Sequence, residues 1–267
     1  MHTNENTIAI HFTERCNLRC PLCYLEKNPR VIPYEYVQKA MKLFQPEYIV
    51  AFGGEAILVP DLLKRFHRDY PDVGIILHTN GTIFNPTIFD ICYSVYLTIE
   101  SFFYKYNKQH RNMSYEQYKV FLKTIQYCKD KIECIHNIYP TGNDPAFFPM
   151  ARLAGIRYNV YPMISPVRNY DGSSLAVKQH LKPIPCVLTN PKIRILVDGT
   201  VTRDMTGHYN ICHIDEYHEG MDRLVPIAEK CKACKKYKSC FSSNMFPHFC
   251  KIVLDNIHYS PAFCHYV

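Results

Sequence analysis

The chain has 267 residues, of which 47% are hydrophobic and 21% charged, and its formal net charge is +7. At about 150 residues per domain, this length allows one large domain, or one domain with a small appendage. The composition excludes a disordered chain, and ten glycines are too few for a fibrous one. No apolar run approaches the ~18 residues of a membrane span, and the first residues lack the apolar core of a signal peptide. We therefore expect a cytoplasmic protein with no membrane partner.

Short β-branched runs alternate with longer amphipathic runs, a pattern typical of strands and helices around a parallel sheet. The predicted strands are residues 7–12, 48–52, 73–79, 95–99, 132–138 and 157–163. The predicted helices between them are residues 33–44, 60–69, 86–92, 114–128 and 145–154. Ser114 and Gln117 are spaced as a capping box at the start of the fourth of these helices. The alternation predicts an α/β fold.

The regular alternation stops after about residue 171, where Pro183, Pro185 and Pro191 break any long helix. We predict a boundary near residue 180, with a core domain over 1–180 and a second unit over 181–267. Asp198-Gly199 predicts a hairpin between strands at 192–197 and 200–204. The rest of this unit is rich in cysteine and lysine and poor in core formers, which indicates that it folds around a metal centre.

Thirteen cysteines without a signal peptide indicate thiol or metal chemistry in a reducing compartment. Cys16, Cys20 and Cys23 follow the first predicted strand with the spacing C-x3-C-x2-C. Three thiolates in one loop suit an iron–sulfur cube with one iron left open, whereas a structural zinc site takes four ligands in two pairs. Three cysteines between the two ends of the chain predict core packing: Cys92, Cys128 and Cys134.

This loop resembles the cluster loop of the radical S-adenosylmethionine (radical SAM) superfamily, in which the open iron chelates SAM. Other motifs of that family follow in the same order, namely Gly53-Gly54-Glu55, Thr79-Asn80-Gly81-Thr82, Glu100-Ser101 and His110-Arg111. Ala56 stands where the family usually has proline, a mild departure in the turn. The resemblance covers about residues 7–165 and implies a partial (β/α)6 TIM-like barrel with its functional groups at the carboxyl ends of the strands.

The resemblance also implies the chemistry. A 4Fe-4S cluster on the three N-terminal cysteines, reduced by a donor such as flavodoxin or ferredoxin, cleaves SAM to a 5'-deoxyadenosyl radical that takes hydrogen from the substrate. This is the chemistry of an oxidoreductase, isomerase or other modifying enzyme. In some members an arginine near position 111 pairs with the SAM carboxylate. No acid or base can be singled out among Glu100, His136, Tyr139 and Tyr158, which lie near strand ends. The implied SAM-binding residues are Tyr24, Gly53, Gly54, Glu55, Thr79, Asn80, Glu100, Ser101 and Arg111.

The C-terminal cysteines have the spacing Cys231-x2-Cys234-x5-Cys240 with Cys250 beyond, which also describes a structural zinc site. Behind a radical SAM core, the pattern resembles a SPASM or twitch extension that holds auxiliary 4Fe-4S clusters. It is incomplete, because Asp204 and Asn244 stand at two of the family's cysteine positions. The resemblance implies one auxiliary cluster, with ligands Cys231, Cys234, Cys240 and either Cys250 or Cys264. A second cluster would need Cys186 and Cys212.

The substrate is open at this level. SPASM-type relatives act mostly on peptides, so the resemblance favours modification of a peptide or protein side chain. The chain begins almost directly with the first strand, and the absence of a leader-binding domain weighs against a peptide. Six lysines against one glutamate in residues 226–251, with the net charge of +7, support a nucleotide or a nucleic-acid base as the competing substrate. The other interpretation of these lysines is that they offset the negative charge of a thiolate-ligated cluster. A non-catalytic cluster-binding module is the remaining alternative.

Overall fold

The computed structural model describes residues 6–21, 23, 25, 27–138, 143–162, 193–202, 210–219 and 221. Its strands are β1 Thr7–Thr13, β2 Tyr48–Gly53, β3 Gly74–Thr79, β4 Ser94–Thr98, β5 Ile132–Ile138, β6 Arg157–Pro162, β7 Ile193–Ile195, β8 Thr200–Thr202 and β9 Asn210–His213. Its helices are α1 Tyr34–Phe44, α2 Pro60–Asp69, α3 Pro86–Ile91, α4 Tyr104–Arg111, α5 Tyr115–Cys128 and α6 Phe147–Leu153, with a 3-10 turn at Ala56–Leu58. All six predicted core strands and all five predicted helices are present.

The strands form one sheet in the order β6-β5-β4-β3-β2-β1-β7-β8-β9. In this order, each pair of neighbouring strands from β6 as far as β7 is parallel. The pairs β7-β8 and β8-β9 are antiparallel. The first six strands and their helices make the α/β partial barrel that the sequence predicted. The predicted hairpin at Asp198-Gly199 is β7-β8, and it extends the sheet at the open edge of β1. The division of the chain near residue 180 stays a prediction.

The hydrophobic core lies between the outer face of the sheet and the helices. Ile8, Ile10 and Phe12 of β1 all point to this face, and each is at most 4% exposed. Burial of such a side chain contributes roughly 1.5–3 kcal/mol, which is why the period-two pattern of the strands fixes the register. Cys92, Cys128 and Cys134 lie in the same core, as predicted. Burial raises the pKa of Cys92 to about 12 and that of Cys128 to about 11.

Helix α4 was not predicted, because its buried face is polar. Asn107, His110 and Arg111 are at most 4% exposed, so the helix lacks the apolar stripe by which helices are found in a sequence. Helix α5 has the predicted capping box. Ser114 Oγ accepts from Gln117 N at 3.2 Å, and Ser114 N donates to Gln117 Oε1 at 2.9 Å. No helix within the described ranges is long and apolar enough to cross a membrane.

Candidate functional site

Four sequence motifs meet at the carboxyl edge of the sheet. Strand β1 leads into the cysteine loop, β2 ends at Gly53, β3 ends at Thr79 and β4 leads into Glu100-Ser101. Because these four strands are parallel neighbours, their carboxyl ends point the same way. The order of the motifs along the chain therefore becomes a side-by-side arrangement in space.

The loop that carries Cys16, Cys20 and Cys23 leaves β1 and folds back onto it. Thr13 Oγ1 donates to Arg30 O at 2.8 Å, which closes the loop at its base. Inside the loop, Cys23 N donates to Cys20 O at 3.2 Å. All three cysteine side chains are free and partly buried. The fold thus holds three thiols in one short, closed segment.

Burial and the nearby cations act in opposite directions on the pKa values of these thiols. Burial raises the pKa values of the Cys16 and Cys20 thiols above the ordinary value of a cysteine. The nearby cations Arg111 and Lys27 oppose that rise at Cys20. Among the residues that the structure describes, no three His, Cys, Asp or Glu side chains are arranged around a single ion. In an iron–sulfur cube each thiolate ligates a different iron, so the ligands stand farther apart than those of one ion. The donor set fits such a cluster, whose binding would release the thiol protons.

Glu55 is the most enclosed carboxylate of the site, at 1% exposed. Its Oε1 accepts from Thr79 Oγ1 at 2.9 Å and from Ile57 N at 3.3 Å, and its Oε2 accepts from Asn80 N at 2.7 Å. Burial raises the pKa of Glu55, and these three donors oppose that rise. The motifs after β2 and β3 are therefore joined through one carboxylate.

Gly53 and Gly54 are needed because the chain after β1 passes directly over them. Gly54 N donates to Thr13 O at 2.8 Å, and Glu55 N donates to Arg15 O at 2.7 Å. A Cβ on Gly53, whose φ is +149°, would lie 2.2 Å from Thr13 O, and one on Gly54 would lie 2.3 Å from Arg15 O. The two glycines let the second motif dock against the start of the cysteine loop.

Gly54→Ala is expected to lower the free energy of unfolding by about 2–3 kcal/mol, because its methyl group meets main chain that cannot rotate away. Urea unfolding of the cluster-free protein measures this. Gly155→Ala is the control, since its φ of +66° is strained but a Cβ there meets nothing within 4 Å. That variant is expected to cost about 1 kcal/mol, and equal losses in the two variants would contradict the close-packing explanation.

The end of β4 is joined to β5 and to the segment before α6. Glu100, 2% exposed, accepts from Asn137 N at 3.2 Å and from Asn137 Nδ2 at 2.6 Å. Ser101 Oγ donates to Asp144 Oδ2 at 2.6 Å, and Asp144 is 3% exposed. The sequence did not single out Asp144, although its place in Asn143-Asp144-Pro145 is typical of a turn that starts a helix.

Arg111 lies behind the site with its guanidinium buried, the residue being 3% exposed. Its Nη1 donates to Thr98 O at 2.8 Å, and its Nη2 donates to Asn80 O at 3.0 Å. These contacts bind the ends of β3 and β4 together. The structure thus gives Arg111 a main-chain bracing role that the sequence could not indicate.

A row of rings crosses the inner face of the barrel below the motifs. His11 stacks on Phe52 with ring centroids 5.0 Å apart, and His78 stacks on Tyr96 at the same separation. These side chains lie at one register level on β1 to β4. His136 and Tyr158, considered above as polar groups near strand ends, instead pack on the helix side, with the His136 ring 3.6 Å from that of Phe147.

His11 makes the fold sensitive to acid. Burial lowers the pKa of His11 from 6.5 to about 4, and its Nε2 has no hydrogen-bond partner among the residues that the structure describes. The unfolded chain therefore binds the extra proton first, so stability is lost as the pH falls from about 6.5 toward 4. We expect unfolding of the cluster-free protein to require about 2 kcal/mol less at pH 5 than at pH 7.5 through this group.

The His11→Gln variant, measured by urea unfolding at both pH values, is expected to lose this part of the pH dependence. His67→Gln, at a partly exposed histidine on α2, is the matched control for the substitution itself. An identical pH slope in wild type and His11→Gln would show that His11 is not the group responsible.

Several predicted site residues lie outside the described residues. They are Tyr24, Tyr139, Cys186, Cys231, Cys234, Cys240, Cys250 and Cys264, with Asp204 and Asn244. Cys212 is described, on β9 opposite Val201 of β8. Asn17, which the sequence did not single out, contacts Asn80 and Thr82 of the candidate site. Gln117, predicted only as part of a capping box, also donates through Nε2 to Asn17 O at 3.3 Å.

Comparison with known proteins gives one family and several solved structures. Residues 10–144 match the family described as the Radical SAM superfamily. No curated protein matches the chain. The structure of anSMEcpe with bound AdoMet has a TM-score of 0.64 at 12% identity, over 94% of this chain and 96% of that one. With AdoMet and the Cp18Cys peptide, anSMEcpe gives a TM-score of 0.62 at 12% identity, over 94% and 99%.

The crystal structure of Streptococcus suis SuiB bound to its precursor peptide SuiA has a TM-score of 0.62 at 14% identity. This similarity covers 97% of the present chain and 74% of that one. At such identities the similarity shows a shared fold.

Proposed function

The chain belongs to the radical SAM superfamily, and from that membership we propose which of its residues hold the cofactors and which class of substrate it modifies. It is an enzyme of the class that uses a 4Fe-4S cluster and SAM. When bound, these cofactors supply a reductively formed 5'-deoxyadenosyl radical that abstracts hydrogen. The chain's own residues bind, orient and shield the reacting groups.

Cys16, Cys20 and Cys23 are the proposed ligands of the SAM-binding cluster. The observation that carries this proposal is their place in one closed loop beside Glu55 and Arg111, at the carboxyl edge of a parallel barrel. Partial burial excludes much of the bulk water, as a radical intermediate requires. The cations near Cys20 offset part of the charge of a thiolate-ligated cluster.

The proposed SAM site is the surface formed by the three motifs next to this loop, at the ends of β2, β3 and β4. Glu55 supplies a buried negative charge for the ammonium group of SAM. Thr79 and Asn80 hold the carboxylate of Glu55 in place. Glu100 and Ser101 are fixed by Asn137 and Asp144 on the other side. The remaining proposed SAM contacts are Tyr24, Gly53, Gly54 and Arg111.

Residues 181–267 are proposed as a SPASM or twitch-like unit that follows a core over 1–180. One auxiliary 4Fe-4S cluster, on Cys231, Cys234, Cys240 and Cys250, would relay an electron from the substrate radical or help bind substrate. Cys264 competes as the fourth ligand, and Cys186 with Cys212 would serve a second cluster. The similarity in fold to anSMEcpe and SuiB over more than nine-tenths of the chain supports this arrangement.

A peptide or protein side chain is the proposed substrate. Two structures that share the fold were determined with peptides, anSMEcpe with Cp18Cys and SuiB with SuiA. The net charge of +7 supports the alternative of a nucleotide or a nucleic-acid base. Flavodoxin or ferredoxin is the proposed class of electron donor.

The test uses full-length protein reconstituted with iron and sulfide under anaerobic conditions. We expect about eight irons per chain, the sum of two cubes, and 5'-deoxyadenosine from SAM and dithionite. A mixed peptide pool is expected to raise the yield of deoxyadenosine, and mixed-sequence oligonucleotides are not. Stimulation by the oligonucleotides alone would assign the alternative substrate class, and absence of SAM cleavage would refute the proposed cluster site.

A further inference from the structure

The side chain of Asn80 joins the end of β3 to the cysteine loop. Its Nδ2 donates to Asn17 Oδ1 at 2.8 Å and lies 3.9 Å from Cys16 Sγ, within reach of an N–H···S hydrogen bond. Its Oδ1 accepts from Thr82 N at 2.8 Å and from Thr82 Oγ1 at 2.6 Å. Asn17 Nδ2 closes the ring by donating to Thr82 Oγ1 at 2.8 Å.

This ring fixes which way the amide of Asn80 faces. The main-chain N–H of Thr82 can only donate, so the atom of Asn80 that meets it must be the carbonyl oxygen. The NH₂ group is therefore turned toward Asn17 and Cys16. Rotation of the amide by half a turn would set two donors against each other at Thr82 and leave Cys16 Sγ facing an acceptor.

The main chain of Asn80 is held as firmly as its side chain. Asn80 N donates to Glu55 Oε2 at 2.7 Å, and Asn80 O accepts from Arg111 Nη2 at 3.0 Å. The residue is 9% exposed. Because these groups are fixed before any ligand binds, the donor facing Cys16 is preorganised.

We propose that Asn80 sets the reduction potential of the N-terminal cluster through this hydrogen bond to the Cys16 sulfur. The proposal rests on the proposed function, which makes Cys16 a cluster ligand. One-electron reduction adds negative charge to the thiolate-ligated cluster, and a donor aimed at a ligand sulfur stabilises that charge. Asn80 thus acts as a positioning residue that makes the cluster easier to reduce.

The test compares Asn80→Asp with wild type in a potentiometric titration of the reconstituted protein, without SAM, followed by the EPR signal of the reduced cluster. Aspartate keeps the shape of asparagine but places an acceptor oxygen where the NH₂ group faces Cys16. The midpoint potential of the N-terminal cluster is expected to shift to a more negative value. Asn80→Ala, which removes the donor without adding charge, is expected to shift it less in the same direction.

Asn85→Asp is the matched control. Asn85 lies five residues further along the chain, at the N-cap of α3, and its side chain accepts from Ile88 N at 3.3 Å. Aspartate caps a helix equally well, so this variant makes the same chemical change and adds the same charge away from the cysteine loop. Its midpoint potential is expected to equal that of the wild type.

The outcomes separate this inference from the proposed function. A wild-type protein that loads no N-terminal cluster refutes the proposed function. A loaded Asn80→Asp protein with the wild-type potential overturns the inference and leaves the function intact. Loss of the cluster from both Asn80 variants, while Asn85→Asp loads, overturns it in favour of a purely structural role.

Discussion

Cys20→Ala is expected to reduce 5'-deoxyadenosine formation from SAM to background. Cys20 is the middle cysteine of the loop, between Cys16 and Cys23, and a cube left with two protein ligands does not remain in place. The variant should therefore lose about four irons per chain while the iron of the proposed C-terminal cluster stays bound. Chromatography of the reaction products and assays of iron and sulfide measure both effects.

Cys128→Ala is the control for this experiment. Cys128, the last residue of α5, is 1% exposed, and burial raises the pKa of its thiol to about 11, so it has no exposed thiolate to offer a metal. Its replacement should cost stability, about 1 kcal/mol for a small buried side chain, and leave iron content and SAM cleavage unchanged. Full SAM cleavage by Cys20→Ala would contradict the proposed mechanism.

The barrel could be predicted because its strands and helices bury apolar side chains with regular periods. Ile8, Ile10 and Phe12 alternate along β1, and the pattern fails only where burial is not apolar, as in α4. In α4 the residues against the barrel are Asn107 and Arg111, which donate hydrogen bonds to main-chain carbonyl groups outside the helix. A hydropathy pattern contains no information about those partners.

The site was predictable as a set of motifs and not as a network of contacts. The family resemblance implied that Glu55, Asn80 and Arg111 each bind SAM. The structure shows that these residues also contact one another, since Asn80 N donates to Glu55 and Asn80 O accepts from Arg111. Asn17 was missed because its role depends on a loop 63 residues further along the chain. Such contacts arise from the parallel order of the strands, which brings successive loops to one edge.

Arg111→Met is expected to lower the free energy of unfolding of the cluster-free protein by about 3–5 kcal/mol, because it removes two hydrogen bonds donated by a buried charged group. Methionine preserves most of the apolar stem but leaves the carbonyl groups of Thr98 and Asn80 without these donors. It also removes a cation that lowers the pKa of Glu55 against the dominant effect of burial. Urea unfolding gives the free energy, with Arg152→Met at an exposed position of α6 as a control expected within about 0.5 kcal/mol of wild type.

The pH dependence of Arg111→Met distinguishes lost charge from lost packing. Burial raises the pKa of Glu55 above its value in the unfolded chain, so ionised Glu55 lowers stability as the pH rises above the unfolded value of about 4.3. In folded Arg111→Met the ionised form of Glu55 is even less stable than in wild type, because the nearby cation is gone. The protonated form of Glu55 carries no charge, so loss of the cation does not affect it. The loss in Arg111→Met should therefore be larger at pH 8 than at pH 5. Arg111→Lys, which keeps the charge but not the forked donors, should show a smaller loss with little pH dependence. A loss in Arg111→Met that is equal at both pH values would mean that the main-chain hydrogen bonds of Arg111, and not its charge, hold the ends of β3 and β4 together.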